Sequence, residues 1–121
     1  MSARTGAVSI TDKHGRAIVP AYGDIEDIKR ANARAGHHFF EASSMRFFAS
    51  RVGSKVYGGR YFVTSEQFRD YESRWFEHRR YTIRECDTEG HVRTVGDFQG
   101  FGTAAQARSA IKLILSMDGA Q

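Results

Sequence analysis

The sequence is poor in the residues that staple or anchor a chain. Its single cysteine, Cys86, cannot close an internal disulfide, which fits a reducing compartment. No run approaches the ~20 apolar residues of a membrane span, and the opening stretch MSARTGAVSITDKHGR lacks the apolar core of a signal peptide. These absences point to a cytoplasmic protein with no membrane partner. Low-complexity tracts, internal repeats and long linkers are missing too. What remains is 121 residues, 40% hydrophobic and 26% charged. That is the size of one globular domain, which buries roughly two-thirds of its unfolded surface without disulfide or metal.

Catalytic signatures are equally scarce. His37 and His38 are adjacent, so in extended chain they point opposite ways and do not share a metal. Cys86 and His91 find no second CxxC or HxxxH pair to complete a zinc site. Cys86 has no glycine-bounded elbow, and no serine stands in a GxSxG context. Gly96, Gly100 and Gly102 lack the lysine and serine of a phosphate loop. The sequence therefore predicts no enzyme, no metal and no cofactor, with Cys86 an apolar filler and His38 a core histidine.

Charge is present and unevenly spread. Eighteen basic against fourteen acidic residues give +4, and residues 37–64 alone carry +3 while 65–78 carry −2. Arg46, Arg51, Lys55 and Arg60, with Arg80 and Arg84 further on, form a candidate basic patch for nucleic acid or an acidic protein surface. Trp75 and Phe76, flanked by charge, have the composition of an interface hot spot, and opposite patches on one small protein also permit a homodimer.

Periodicity sets the expected elements. Residues 1–23 fit either an edge hairpin or a loose arm. Asp24 is placed to cap a helix over 25–35, with Glu26 and Asp27 early, Arg34 late, and Gly36 beyond the end. Residues 37–40 read as a short buried extended piece, and 45–48 as a short helix capped by Ser43 or Ser44. Residues 54–57 and 60–64, joined by Gly58 and Gly59, predict a tight hairpin. Residues 64–67 have capping-box spacing, and Phe68, Tyr71, Trp75 and Phe76 follow at i, i+3, i+7 and i+8, which predicts a helix ending before Tyr81. Residues 79–86 and 91–98 alternate with period two around a turn at 87–90, the clearest hairpin in the chain. Thr103 to Gln106 is another capping box, and Ala107, Ala110, Ile111, Ile114 and Leu115 trace an apolar stripe predicted to dock on Tyr81 and Ile83. Residues 24–121 thus read as one α+β domain, a small antiparallel sheet with helices packed on one face.

The runs His37-His38-Phe39-Phe40, Met45-Arg46-Phe47-Phe48-Ala49-Ser50-Arg51, Tyr61-Phe62-Val63-Thr64-Ser65-Glu66-Gln67-Phe68 and Arg79-Arg80-Tyr81-Thr82-Ile83-Arg84 together resemble a family of short proteins. Its members are carried by phages, plasmids and bacterial chromosomes and are classed as a domain of unknown function. The resemblance covers about residues 28 to 115 and implies a mobile-element product, a class in which non-catalytic proteins aimed at host machinery are common. The leading expectation is a stoichiometric binding protein that inhibits a host protein complex, a defence complex such as a CRISPR effector among them. The alternative is a small basic nucleic-acid-binding regulator, with affinity falling steeply as salt rises.

Overall fold

The structure is a computed structural model and describes residues 8–11, 17–47, 49–67, 69–70, 75–76 and 78–119. β1 (Val8–Thr11) and β2 (Ala17–Ala21) pair antiparallel as a small sheet of their own, so the first segment contains a hairpin. Tyr22 ties it to the rest: its amide donates to the Gly59 carbonyl at 2.7 Å and its buried phenol to the Asp87 carbonyl at 2.6 Å.

Asp24 caps α1 (Ile25–Arg34) as predicted. Its extended backbone lets Oδ1 accept the Asp27 amide at 2.9 Å, while Asp27 Oδ2 accepts the Gly23 amide at 3.1 Å. The helix buries Ile28 and Asn32. Asn32 then acts as a clamp: Nδ2 donates to the Gly90 carbonyl at 2.8 Å and Oδ1 accepts the Phe39 amide at 3.2 Å. Because Asn32 captures that amide, residues 37–40 form a turn instead of the expected extended piece. His38, expected in the core, is exposed, with Nδ1 2.8 Å from the Glu41 carboxylate. α2 (Ala42–Phe47) starts earlier than its expected serine cap, and Phe48 lies outside the described residues.

The strands that follow are β3 (Arg51–Val52), β4 (Tyr61–Glu66), β5 (Arg69–Asp70), β6 (Trp75–Phe76), β7 (Arg80–Cys86) and β8 (Val92–Val95), and the last helix is α3 (Ala104–Gly119). The main sheet runs β3-β4-β7-β8, antiparallel throughout, with Phe62 opposite Arg84 and Val63 opposite Ile83. The β7–β8 hairpin stands where the alternation put it. So does α3, where Thr103 Oγ1 accepts the Gln106 amide at 3.1 Å and Gln106 Oε1 accepts the Gly102 amide at 3.0 Å.

The sheet corrects two sequence readings. The helix expected across 64–78 is absent: Thr64, Ser65 and Glu66 are strand, and β5 pairs with β6. The capping-box pattern lost because, in extended chain, Thr64 and Glu66 share a face with Thr82 and Arg84, and every one of those polar groups finds a partner there. Phe68 and residues 71–74 of that expected helix lie outside the described residues. The expected 54–64 hairpin shrinks to a turn closed by one Tyr57–Tyr61 bridge, because β4 takes β3 and β7 as its neighbours.

The single α+β domain is confirmed, but its helices cover both faces of the sheet. On one face Phe62 and Cys86 pack with Ile28 of α1, and on the other Tyr61 and Ile83 pack with Ala107 and Ile111 of α3. Strand alternation demands this, since Tyr61 and Phe62 are consecutive, both buried, and point to opposite sides. Among the described residues, no helix is long and apolar enough to cross a membrane.

Candidate binding site

The α3 face of the sheet carries a groove of about 430 Å³ where α3 passes the 53–57 segment. Lys55, Arg108 and Lys112 line it together with Tyr57 and Val63. Helical spacing brings Arg108 and Lys112 together at i, i+4, and both lie on the polar side of α3, away from the buried Ala107 and Ile111. Lys55 reaches the groove because the Gly53 amide bonds to the Val63 carbonyl at 2.8 Å and continues the β3–β4 pairing beyond Val52.

Two more guanidinium groups extend this charge along the same face. Arg51 pairs with Ser65, two residues along β4 from Val63, and Arg79 Nη1 donates to Ser65 Oγ at 2.9 Å. Burial, and then the Arg51 charge, hold the Arg79 guanidinium below its ordinary range. Among the described residues, Arg51, Lys55, Arg108 and Lys112 have no ion-pair partner, so the positive potential here is not cancelled within the described fold.

The other candidate residues divide. Arg60 is spent internally: it forms an ion pair with Glu85 at 3.1 Å, donates from Nη2 to the Tyr61 hydroxyl at 3.1 Å, and lies over the Tyr61 ring. Arg84 is 9% exposed and sits in a buried network with Glu66, so it does not present the surface charge expected of the basic patch. Arg80 is exposed and donates from Nε to the Gln99 carbonyl at 2.8 Å. Arg46 is exposed at the end of α2, on the opposite side of the sheet from the groove. Trp75 and Phe76 form β6. The six-residue basic patch is therefore not one surface. Arg51 and Lys55 stay together and acquire Arg79, Arg108 and Lys112, which the sequence reading passed over. The signal for Arg108 and Lys112 was their i, i+4 spacing on a helix with no acid in its first turn.

The nucleophile and metal candidates gather at the β7–β8 turn. Cys86 is buried, and burial pushes its thiol up to about 11, which suppresses the thiolate. Asp87, Glu89 and His91 bring one ligand atom each within 4.8 Å of one another at the β7–β8 turn. Asp87 Oδ1 already accepts the Glu89 and His91 amides at 2.8 and 3.0 Å, which is what the turn itself requires.

Residues 24–112 match the model of a family described as a family of unknown function (DUF7447). No curated protein and no solved structure matches the chain.

Proposed function

The chain belongs to this family of unknown function, and from the groove just described we propose that it is a non-enzymatic binding protein that docks on an acidic surface of a partner protein. The observation that carries the reading is the set of cations at 51, 55, 108 and 112, gathered from distant parts of the chain and left without an acid among the described residues. Internal acids are spent elsewhere: Glu85 holds Arg60 and Arg93, and Glu66 holds Arg84. A folded protein gains nothing from such crowding unless solvent or a partner supplies the counter-charge. The resemblance to phage- and plasmid-borne proteins supports a setting in the bacterial cytoplasm, where the partner is a host complex that docking inhibits.

A second reading, a regulator that binds nucleic-acid backbone, rests on the same uncancelled cations. Base stacking does not support it, because Tyr61 and Tyr81 on this face pack beneath α3.

One experiment separates the readings. Tagged protein is used to capture partners from a bacterial lysate with and without nuclease, beside the folded triple variant Lys55→Glu, Arg108→Glu, Lys112→Glu. The expected result is a protein that survives nuclease and is lost with the triple variant. Capture that disappears on nuclease treatment supports the second reading. A folded triple variant that captures the same protein equally well overturns the groove as the docking site.

A further inference from the structure

The β7–β8 turn and the segment after α1 bring four ligand-bearing side chains together. Asp87, Glu89 and His91 place one donor atom each within 4.8 Å of one another. From the other side, the His37 ring meets the His91 ring edge to face, with centroids 4.1 Å apart and planes at 78°. Exposed carboxylates alone would mark no more than a solvated turn. Two imidazoles drawn from distant parts of the chain change the chemistry, because neutral imidazole is a strong ligand for divalent transition metals.

Asn32 builds this meeting into the backbone. It is buried, its Nδ2 donates to the Gly90 carbonyl inside the turn at 2.8 Å, and its own carbonyl accepts the His37 amide at 3.0 Å. Its Oδ1 accepts the Phe39 amide at 3.2 Å, two residues further on. One buried side chain and its carbonyl therefore fasten both segments. The contact between His37 and His91 does not depend on two exposed rings finding each other.

Asp87 divides its carboxylate between the turn and the cluster. Oδ1 accepts the Glu89 and His91 amides, whereas Oδ2 has no hydrogen bond among the described residues and lies 3.8 Å from His91 Nδ1. That separation is too long for a hydrogen bond. It is short enough for a shared ion, since two donors each about 2.1 Å from one centre stand at most about 4.2 Å apart. The turn's own bonds thus orient the carboxylate, as outer hydrogen bonds orient a metal ligand. Glu89 is exposed, so rotation of its side chain brings its oxygen into range.

The donor set selects the ion. Cys86 is buried in the α1 cluster and lies outside the group, so the ligands are two nitrogens and two carboxylates without sulfur. Arg34 borders the hollow beside Glu89, so the site is no bare negative trap and its affinity has to come from bonds to nitrogen. Imidazole with carboxylate suits Zn²⁺ and its first-row neighbours, whereas Mg²⁺ and Ca²⁺ take oxygen ligands.

We propose that Asp87, Glu89, His91 and His37 bind one divalent transition-metal ion of the zinc class, which cross-links the β7–β8 turn to the segment after α1. The site shares no residue with the α3 groove and stands whether or not that groove docks a protein.

The test titrates Zn²⁺ into the chelator-treated, isotope-labelled full chain and follows backbone amide and imidazole shifts, with Mg²⁺ alone as the parallel arm. Zn²⁺ is expected to bind in a single saturable phase, with shifts concentrated at residues 37 and 87–91, and to raise the thermal unfolding midpoint. Mg²⁺ should leave those residues unchanged. His37→Ala and His91→Ala should each weaken Zn²⁺ binding at least tenfold, since losing even an outer partner of a ligand costs about that much. Both rings are partly exposed, so these variants are expected to keep the fold, which the rest of each spectrum verifies. His38→Ala, at the exposed pair with Glu41, should bind Zn²⁺ as the parent does. The proposal is overturned if Zn²⁺ gives no saturable shifts up to about 1 mM, or if either His37→Ala or His91→Ala binds as tightly as the parent. Shifts confined to His38 and Glu41, or equal binding of Mg²⁺, overturn it as well.

Discussion

Glu66 shows how much one side chain can decide. It stood third in an apparent capping box, yet it lies fully buried and holds Arg84 and two threonine hydroxyls. Glu66→Gln keeps the shape but leaves the guanidinium as an uncompensated buried charge, and should destabilise the fold by about 3–5 kcal/mol in chemical denaturation. The double variant Glu66→Gln, Arg84→Met should cost less than the sum of the single changes, because it removes both halves of the pair. Cys86 makes a second prediction. Its thiol is raised from an ordinary 9.0 to about 11, mainly by burial, with Asp87 and Glu85 adding to the rise and the hydrogen bond with Tyr22 opposing it. The folded state therefore holds this proton more tightly than the unfolded chain. Its contribution to stability is fully present below about pH 9 and is lost as pH rises to about 11. Tyr22 is shifted in the same direction, chiefly by burial. Denaturation midpoints measured from pH 8 upward should fall across that window, and Cys86→Ala should flatten the decline. A slope identical in that variant would remove Cys86 as its source.

Elements built from local signals stand where the sequence put them. The caps of α1 and α3 need only residues within a turn of one another, and the β7–β8 hairpin needs only alternation around a short turn. The 64–78 segment fails for the opposite reason: its helical spacing of aromatics is a local pattern, whereas Glu66 answers to Thr82 and Arg84, far along the chain. How elements meet is also testable at two glycines with similar backbone angles. Gly90 has φ +84° and packs on α1, where an added Cβ would lie 2.5 Å from the Ala31 carbonyl oxygen; Gly96 has φ +75° and open space around it. Gly96→Ala should cost roughly 1 kcal/mol of backbone strain. Gly90→Ala adds a clash and displaces the Asn32 clamp, so thermal unfolding should show a loss at least twice as large.

For the molecule as a whole, one four-stranded sheet separates two apolar clusters, one under α1 and one under α3. Sharing β4 and β7 between them couples their stability. Ile28→Ala and Ile111→Ala, in different clusters, should each cost about 2–5 kcal/mol and shift the same single unfolding transition, with fluorescence and circular dichroism still coincident. Two separate transitions would show that the halves are independent. Charge is also a property of this scale. Lys55 and Lys112 are 57 positions apart in the numbering, and only the packing of α3 on the sheet makes them one groove. Partner binding through it should weaken as ionic strength rises, and the slope should fall in the triple charge-reversal variant.

By itself the sequence determined the α+β class, α1 with its cap, the β7–β8 hairpin, α3 and the interior place of Cys86, because each of these depends on neighbours in the chain or on simple burial. Only the tertiary structure decided that helices take both sides of the sheet, that residues 61–66 are one of its two central strands, that Arg60 and Arg84 are spent internally, and that Arg108 and Lys112 join Lys55. Each of those outcomes depends on which distant segments share a face, and local propensity carries no information about that.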